Sequence, residues 1–100
     1  MVKQIIWSHR AQNDRKEILQ YWRVRNQSNA YSIKLNLLFK RAIQLMSDHP
    51  HIGRKTDIEN IRVKLVRDYL IVYEETENRI EILTIWDNRR NPDELGKIVT

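Results

Sequence analysis

The residues best suited to chemistry in this chain are basic side chains near its C-terminal end. Arg89 and Arg90 stand side by side after an alternating apolar stretch, and Pro92 ends that stretch two residues later. A guanidinium offers a planar fork of N–H donors that matches the oxygens of a phosphate or a carboxylate. The pair therefore predicts a site for a phosphate or a carboxylate at the rim of a sheet.

A second group of basic residues comes earlier in the sequence. Arg62 and Lys64 alternate with apolar residues, Arg67 follows them, and Arg54 lies in a short turn after Gly53. Metal-free RNA cleavage needs cations on the phosphate, a base for the attacking 2′-hydroxyl and an acid for the leaving oxygen. These side chains can supply the cations.

The acid and the base are harder to identify. Asp87 or Glu74 can serve as the base, and His51 or Tyr73 as the acid, but no spacing in the sequence ties them together. His49 and His51 lack a third ligand at any recognisable spacing, so we predict no metal site. No phosphate-binding loop motif is present either, and we predict no cofactor.

A plainer interpretation of the basic residues stays open. In it Arg62 and Lys64 form a solvated sheet face, and Arg67 pairs with Asp68 or Glu74. The tryptophans carry a similar ambiguity, because a large indole more often packs in a core than stacks on a base. We expect Trp7 and Trp22 to pack in the core, and leave both roles open for Trp86.

Composition narrows the class of protein. One hundred residues make a single domain, residues 1–100, and the net charge of +5 favours a negatively charged partner such as nucleic acid, the ribosome or an acidic protein. There is no cysteine, which suits a reducing compartment. No apolar run approaches the ~20 residues that span a bilayer. We therefore expect a cytoplasmic protein with no membrane partner.

The hydrophobic pattern changes period near residue 60. Before it, helical spacing predicts two helices at 9–25 and 29–48, after a short strand at 3–7. Beyond it, alternation predicts antiparallel strands at 60–67, 69–75 and 79–86, and Pro92 suits the start of a helix at 93–98. The expected fold is α+β, with a helical hairpin packed on one face of a mainly antiparallel four-strand sheet. The opposite face is expected to carry Arg62 and Lys64.

Several segments, taken in order, resemble the RelE/ParE family of bacterial toxins. They are Trp7-Ser8 with Ala11 and Asp14, Ile18 and Tyr21, Ser28 with Ala30-Tyr31, Pro50-His51-Ile52-Gly53-Arg54, Asn60-Ile61-Arg62, Tyr69 to Glu74, and Ile82 to Pro92. The resemblance covers nearly the whole chain. It implies a RelE/ParE-like fold and a toxin of a type II toxin–antitoxin system, neutralised by a cognate antitoxin. Because the chain has a net charge of +5 and a wide hairpin surface, we expect it to bind an acidic antitoxin segment that folds on binding.

The family divides by target, and the arginine pair after the last strand looks closer to the ParE-like members, which act on DNA gyrase. The alternative is a RelE-like endoribonuclease that cuts mRNA on the ribosome without a metal. A second alternative is a non-toxic basic module that binds nucleic acid. The candidate catalytic residues are Arg62, Lys64, Arg67, Tyr73 and Asp87. The candidate target-binding residues are Arg54, Arg62, Lys64, Arg89 and Arg90.

Overall fold

The computed structural model describes residues 3–90 together with residues 93 and 95. The elements in chain order are β1 (Gln4–Trp7), α1 (His9–Asn26), α2 (Ala30–Asp48), β2 (Arg54–Lys55), β3 (Ile61–Val66), β4 (Tyr69–Glu75) and β5 (Arg79–Asp87). The helix predicted for 93–98 lies outside the described residues, except that residues 93 and 95 have helical backbone. Neither α1 nor α2, the described helices, is long and apolar enough to cross a membrane.

The two helices form an antiparallel hairpin whose ends are set by local hydrogen bonds. The Ser8 hydroxyl oxygen accepts from the N–H of Ala11 and fixes the start of α1. The helix stops at Gln27, which has a left-handed backbone with φ of 51°. The Ser28 hydroxyl oxygen accepts from the N–H of Ala30, so the short turn also ties down the start of α2.

The sheet has five strands in the order β1-β5-β4-β3-β2, one more than predicted. The pairs formed by β2 to β5 are antiparallel, and β1 runs parallel to β5. The sequence missed β2 because it is only two residues long, Arg54–Lys55, and both are polar. So short an edge strand carries no readable period.

The core lies between the helical hairpin and one face of the sheet. Its buried members include Leu35, Phe39 and Met46 from α2, which pack against the residues of β4 and β5 that face the helices: Tyr69, Ile71, Tyr73, Ile80, Ile82 and Ile85. Not all of the predicted α2 stripe is buried: Ile33, Leu37 and Leu45 are 67%, 45% and 43% exposed. The hairpin therefore has an apolar surface of its own on the solvent side.

The strand register corrects the expected position of two basic residues. Arg62 pairs with Tyr73 and Lys64 pairs with Ile71. Paired residues of antiparallel strands point to the same face of the sheet, and Tyr73 and Ile71 face the helices. Arg62 and Lys64 therefore lie on the helix side, and the prediction that they lie opposite it was wrong. They remain half-buried rather than buried because β3 lies towards the edge of the sheet, next to the short β2.

Candidate functional site: a cationic corner after β5

The cationic corner consists of Asp87, where β5 ends, and the turn that follows it to Arg90. The N–H of Arg90 donates to the Asp87 carbonyl at 2.9 Å, which closes the turn. The N–H of Asn88 donates to the carbonyl of Asp68 at 2.8 Å, in the turn between β3 and β4. The corner is therefore anchored both within itself and to the neighbouring hairpin.

Arg89 holds the carboxylate of Asp87 side-on. Its Nε lies 2.9 Å from Oδ1, its Nη2 lies 2.8 Å from Oδ2, and its backbone N–H also donates to Oδ1. These hydrogen bonds lower the pKa of Asp87, and the same contact raises the pKa of Arg89. Asp87 is thus an occupied, ionised carboxylate. To act as a base it must first leave Arg89.

Arg90 is ordered by a different contact. Its guanidinium carbon lies 4.6 Å from the ring centre of Trp86, within the range of a cation–π interaction. Trp86 is only 3% exposed, so its indole is a buried platform rather than a free stacking surface. Two neighbouring cations are therefore fixed, one by a carboxylate and one by an aromatic ring. Both are exposed, and a guanidinium held at Nε and Nη2 keeps its remaining N–H groups for a ligand.

A pocket of about 290 Å³ lies between this corner and α1, lined by Asp14, Glu17, Ile18, Tyr21, Tyr69, Ile85, Asp87, Arg89 and Arg90. The Tyr69 hydroxyl oxygen accepts from the indole N–H of Trp22 at 2.8 Å. Burial raises the pKa of Tyr69, against the opposing effect of that hydrogen bond. The phenol therefore stays neutral at physiological pH, and the pocket combines apolar walls with charges of both signs.

Asp14 links α1 to the open edge of β5. Because β1 pairs with β5 only as far as Ile82, the edge beyond that residue has no strand partner among the residues that the structure describes. Asp14 Oδ2 accepts from the N–H of Ile85 at 3.2 Å and from the hydroxyl of Thr84. This contact positions α1 against the strand that carries the corner. The sequence analysis named Asp14 only among the residues that carry the family resemblance.

A second cluster surrounds the loop that precedes β2. The Tyr73 hydroxyl accepts from the N–H of Gly53 and donates to the carbonyl of Pro50, both at 2.8 Å. Arg62 Nη1 donates to the Gly53 carbonyl at 2.9 Å. Burial raises the pKa of Tyr73, although the Gly53 hydrogen bond and Arg62 oppose the shift. The buried Tyr73 hydroxyl both donates and accepts a hydrogen bond to this loop, and these contacts indicate that it holds the loop in place. Its catalytic role stays a prediction.

His51 pairs with Glu75, a residue that the sequence analysis did not name. Its Nε2 lies 2.7 Å from Glu75 Oε1, and Lys3 Nζ lies 3.1 Å from the other carboxylate oxygen. Burial acts to raise the pKa of Glu75, but the hydrogen bonds and charges of Lys3 and His51 outweigh it and lower the pKa. Glu74 lies across from Glu81, on the face away from the helices.

This pair borders a pocket of about 330 Å³ that Arg62 and Lys55 also line. The structure therefore brings a histidine, a carboxylate and two cations together, a set that the sequence did not identify. This set could not be identified from the sequence because Glu74 and Glu75 are adjacent. Only the three-dimensional register shows which of the two side chains reaches His51.

The remaining predicted residues do not join either cluster. Arg54 and Lys64 line a shallow cleft of about 340 Å³ with Ile52 and residues of β3 and β4. Arg67 lies exposed in the turn between those strands, with a φ of 56°. It forms no ion pair with Asp68 or a glutamate among the residues that the structure describes. The basic set is thus spread over four places.

A group of three or more metal-ligating side chains is absent from the described part of the chain. What the cationic corner can do is bind: two ordered guanidinium groups beside an amphipathic pocket suit a surface of carboxylates or phosphates.

The fold and this corner define a small α+β protein built on a helical hairpin, a five-strand sheet and an ordered cationic turn. The family model described as "ParE toxin of type II toxin-antitoxin system, parDE" matches residues 5–92. The chain therefore belongs to the ParE toxin family. This confirms the resemblance to the RelE/ParE toxins. It also confirms that the chain is closer to the ParE-like members. Membership makes the protein a toxin component of a type II system, and it implies an antitoxin partner.

A solved structure agrees at the level of the fold. The chain is similar to one described as "Chromosomal ParDE TA system from P. aeruginosa", with a TM-score of 0.73 and 14% sequence identity. The match covers 86% of this chain and 96% of that chain. The α+β fold prediction is thereby confirmed, apart from the number of strands. Comparison with curated protein sequences found no match.

Proposed function

We propose that this toxin inhibits DNA gyrase by binding it through the cationic corner. The observation that carries the proposal is the pair of fixed, exposed guanidinium groups of Arg89 and Arg90, in a chain that belongs to the ParE family. Binding through fixed charges needs no proton transfer. It is therefore compatible with an Asp87 that is occupied and a Tyr73 that is buried.

The test is a gyrase supercoiling assay with the double variant Arg89→Ala/Arg90→Ala. Hydrogen bonds to charged groups contribute ~1.5–3 kcal/mol each, or roughly 10- to 100-fold in affinity. We expect the toxin concentration for half-inhibition to rise by on the order of 100-fold. The control is Arg79→Ala, an exposed arginine at the opposite end of β5, which should leave inhibition unchanged. Equal inhibition by the double variant and the wild type would refute a role for the corner.

The second part of the proposal is neutralisation by an antitoxin with an acidic, amphipathic segment. The solvent side of α2 exposes Ile33, Leu37 and Leu45, and Lys34 and Arg41 lie among them. The helix has no acidic residue before Asp48. Such a surface suits a helix that buries apolar side chains and places carboxylates beside lysine and arginine.

The antitoxin is tested by induced expression in a bacterium, with and without the neighbouring gene. Growth should stop with the toxin alone and recover with both. A host that grows normally with the toxin, while carrying a sensitive gyrase, would instead support a non-toxic basic module. The rate of association with the antitoxin should fall as salt is added, because salt screens the steering charges. A rate that does not change with salt would show that charge does not guide the encounter.

A specific observation keeps ribosome-dependent mRNA cleavage as a second candidate. His51 and Glu75 form a hydrogen-bonded pair at a pocket that also holds Arg62 and Lys55. Primer extension on mRNA in a translating extract separates the two functions. Codon-phased cuts that disappear in His51→Ala and Arg62→Ala, with supercoiling untouched, would favour cleavage. Intact mRNA with inhibited supercoiling would favour gyrase.

A further inference from the structure

The outer side of the helical hairpin contains a groove that the proposed function does not use. It has a volume of about 450 Å³ and is lined by Gln12, Arg15, Lys16, Leu19, Asn36 and Lys40. Three of these six side chains are cations, and none is a carboxylate. We call this surface the hairpin groove. It concentrates positive charge on the face of the hairpin that lies away from the corner.

The charges of the hairpin groove are not neutralised by the acidic residues of α1. Asp14 and Glu17 line the pocket beside the corner instead, because their positions fall on another face of the same helix. Asp14 is in addition bound to the edge of β5. The α2 side of the groove has no acidic residue before Asp48. Helix α1 therefore divides a mixed-charge pocket from a purely basic groove.

A cation–π contact orders part of the hairpin groove before it binds anything. The guanidinium carbon of Arg15 lies 4.4 Å from the ring centre of Trp7, which restricts where this long side chain can go.

We propose that the hairpin groove binds the phosphate backbone of duplex DNA without sequence preference. Arginine, lysine, asparagine and glutamine are the side chains that commonly contact phosphates and sugars. Leu19 is the one apolar side chain in the lining, whereas a protein-docking site needs an apolar centre from which water is excluded. The exposed large apolar residues of the hairpin do not line the groove; they are Tyr21, Val24, Ile33, Leu37 and Leu45.

This inference goes beyond gyrase inhibition and does not depend on it. A toxin that touches its target only through the cationic corner needs no contact with DNA. A basic groove on the other face of α1 gives the same molecule a second point of attachment, to the DNA that a topoisomerase holds. Because backbone binding is a property of the isolated toxin, it is measurable on naked DNA with no gyrase present.

The experiment measures fluorescence anisotropy of a labelled duplex of about 20 base pairs and arbitrary sequence, titrated with the purified toxin from ~50 to ~200 mM KCl. The test variant is Arg15→Gln/Lys16→Gln/Lys40→Gln, which keeps most of each aliphatic stem. The matched control is Arg25→Gln/Lys34→Gln/Arg79→Gln, which removes the same charge from exposed positions outside the hairpin groove. Circular dichroism checks that both variants are folded.

We expect the wild type to bind with an affinity that falls steeply with salt, with a slope of ~0.9 per phosphate contact. The groove variant should lose at least about tenfold in affinity and about 3 units of slope, whereas the control should change by less than about threefold. A wild type that does not bind the duplex overturns the proposal. Equal losses in the two variants also overturn it, because they show that only net charge matters.

Two further measurements test the proposal if the triple variant does not fold or if the groove binds a protein segment instead. If the triple variant fails to fold, Lys16→Gln and Lys40→Gln are tested singly. Both residues are exposed, and each single variant should reduce the slope by about 0.9.

A polyglutamate peptide is titrated in parallel. Loss of peptide binding with duplex binding intact would make the groove a protein-docking surface and overturn the proposal. Inhibition of gyrase by the groove variant through an intact corner keeps the two proposals separable.

Discussion

The corner after β5 and the cluster around the loop before β2 both contain arginine side chains, but they are built from different kinds of contact. In the corner, Arg89 and Arg90 are fixed by residues two to four positions away, Asp87 and Trp86. In the loop, Gly53 is fixed by Tyr73, twenty residues away in the sequence and buried in the core. The corner can therefore change without disturbing the core, and the loop cannot.

This difference separates stability from binding. A guanidinium at an exposed turn contributes little to folding, because solvent screens its charge. It can nevertheless contribute strongly to the binding of a partner. A buried hydroxyl between two backbone groups contributes mainly to folding, because its loss leaves those groups unpaired. Variants at the two places should consequently affect different measurements, which is a stronger test than the loss of activity alone.

Gly53→Ala should have the largest effect on the stability of the protein. A Cβ at this position would lie 2.5 Å from the Tyr73 hydroxyl oxygen and 2.9 Å from the Val63 carbonyl oxygen. Both neighbours are held in place, so the loop must move and lose its hydrogen bonds. We expect a loss of about 3 kcal/mol in the free energy of unfolding, the upper part of the range for overpacking. Urea denaturation measures it, and a loss below about 1 kcal/mol would show that the loop adapts freely.

Tyr73→Phe should distinguish the loop from the corner most clearly, because it should lower stability without changing gyrase inhibition. It leaves the buried N–H of Gly53 and the carbonyl of Pro50 without their partner, at a cost of about 1–3 kcal/mol. Gyrase inhibition per folded molecule should stay near the wild-type value. Arg89→Ala should give the opposite result, with stability within about 0.5 kcal/mol and inhibition reduced. If both variants lost the same property, the two regions would form one functional unit.

The order of helices and the longer strands was predictable because apolar residues recur with the period of each element. Both helices and the last three strands were predicted within one or two residues of their observed ends. The face of β3 that carries Arg62 and Lys64 was not predicted correctly. Alternation shows which residues share a face, but it does not show which face meets the helices. The register of β3 with β4, Arg62 opposite Tyr73, decides that point.

The candidate site was predictable only where it is local in sequence. Two adjacent arginines before Pro92 indicated the corner. The pairing of His51 with Glu75 joins two segments that are separated in the chain by β2, β3 and most of β4, and no pattern records it. The bulge between β4 and β5 at Val72/Tyr73 adds a further change of register. Such contacts depend on how distant segments pack against each other, and this packing leaves no periodic pattern in a single sequence.

Asp87→Asn should have a moderate effect confined to the corner. Asparagine accepts one hydrogen bond from Arg89 but lacks the charge and the second carboxylate oxygen, so the guanidinium is held less firmly. Exposed ion pairs contribute ~0–1 kcal/mol, and the free energy of unfolding should change by no more than that. We expect half-inhibition of gyrase to require a few-fold more toxin, well short of the loss in the double arginine variant. A gain in inhibition would mean that Asp87 competes with the target for Arg89.

Glu75→Gln should have the smallest effect, visible only as a function of pH. The pKa of Glu75 is lower in the folded protein than in the unfolded chain, where a glutamate titrates near ~4.3. Between these two pKa values the unfolded chain binds more protons, so stability falls as the pH falls through them. The contribution of Glu75 is therefore full above the unfolded pKa and is lost below the folded one. Urea denaturation of both proteins from neutral to acidic pH should show a wild-type advantage that shrinks over this window. The advantage should also be smaller in a Lys3→Met background, where one of the two partners of Glu75 is gone. An advantage that instead grew towards acidic pH would show that Glu75 is protonated in the folded protein, and that the contact with His51 does not depend on its charge.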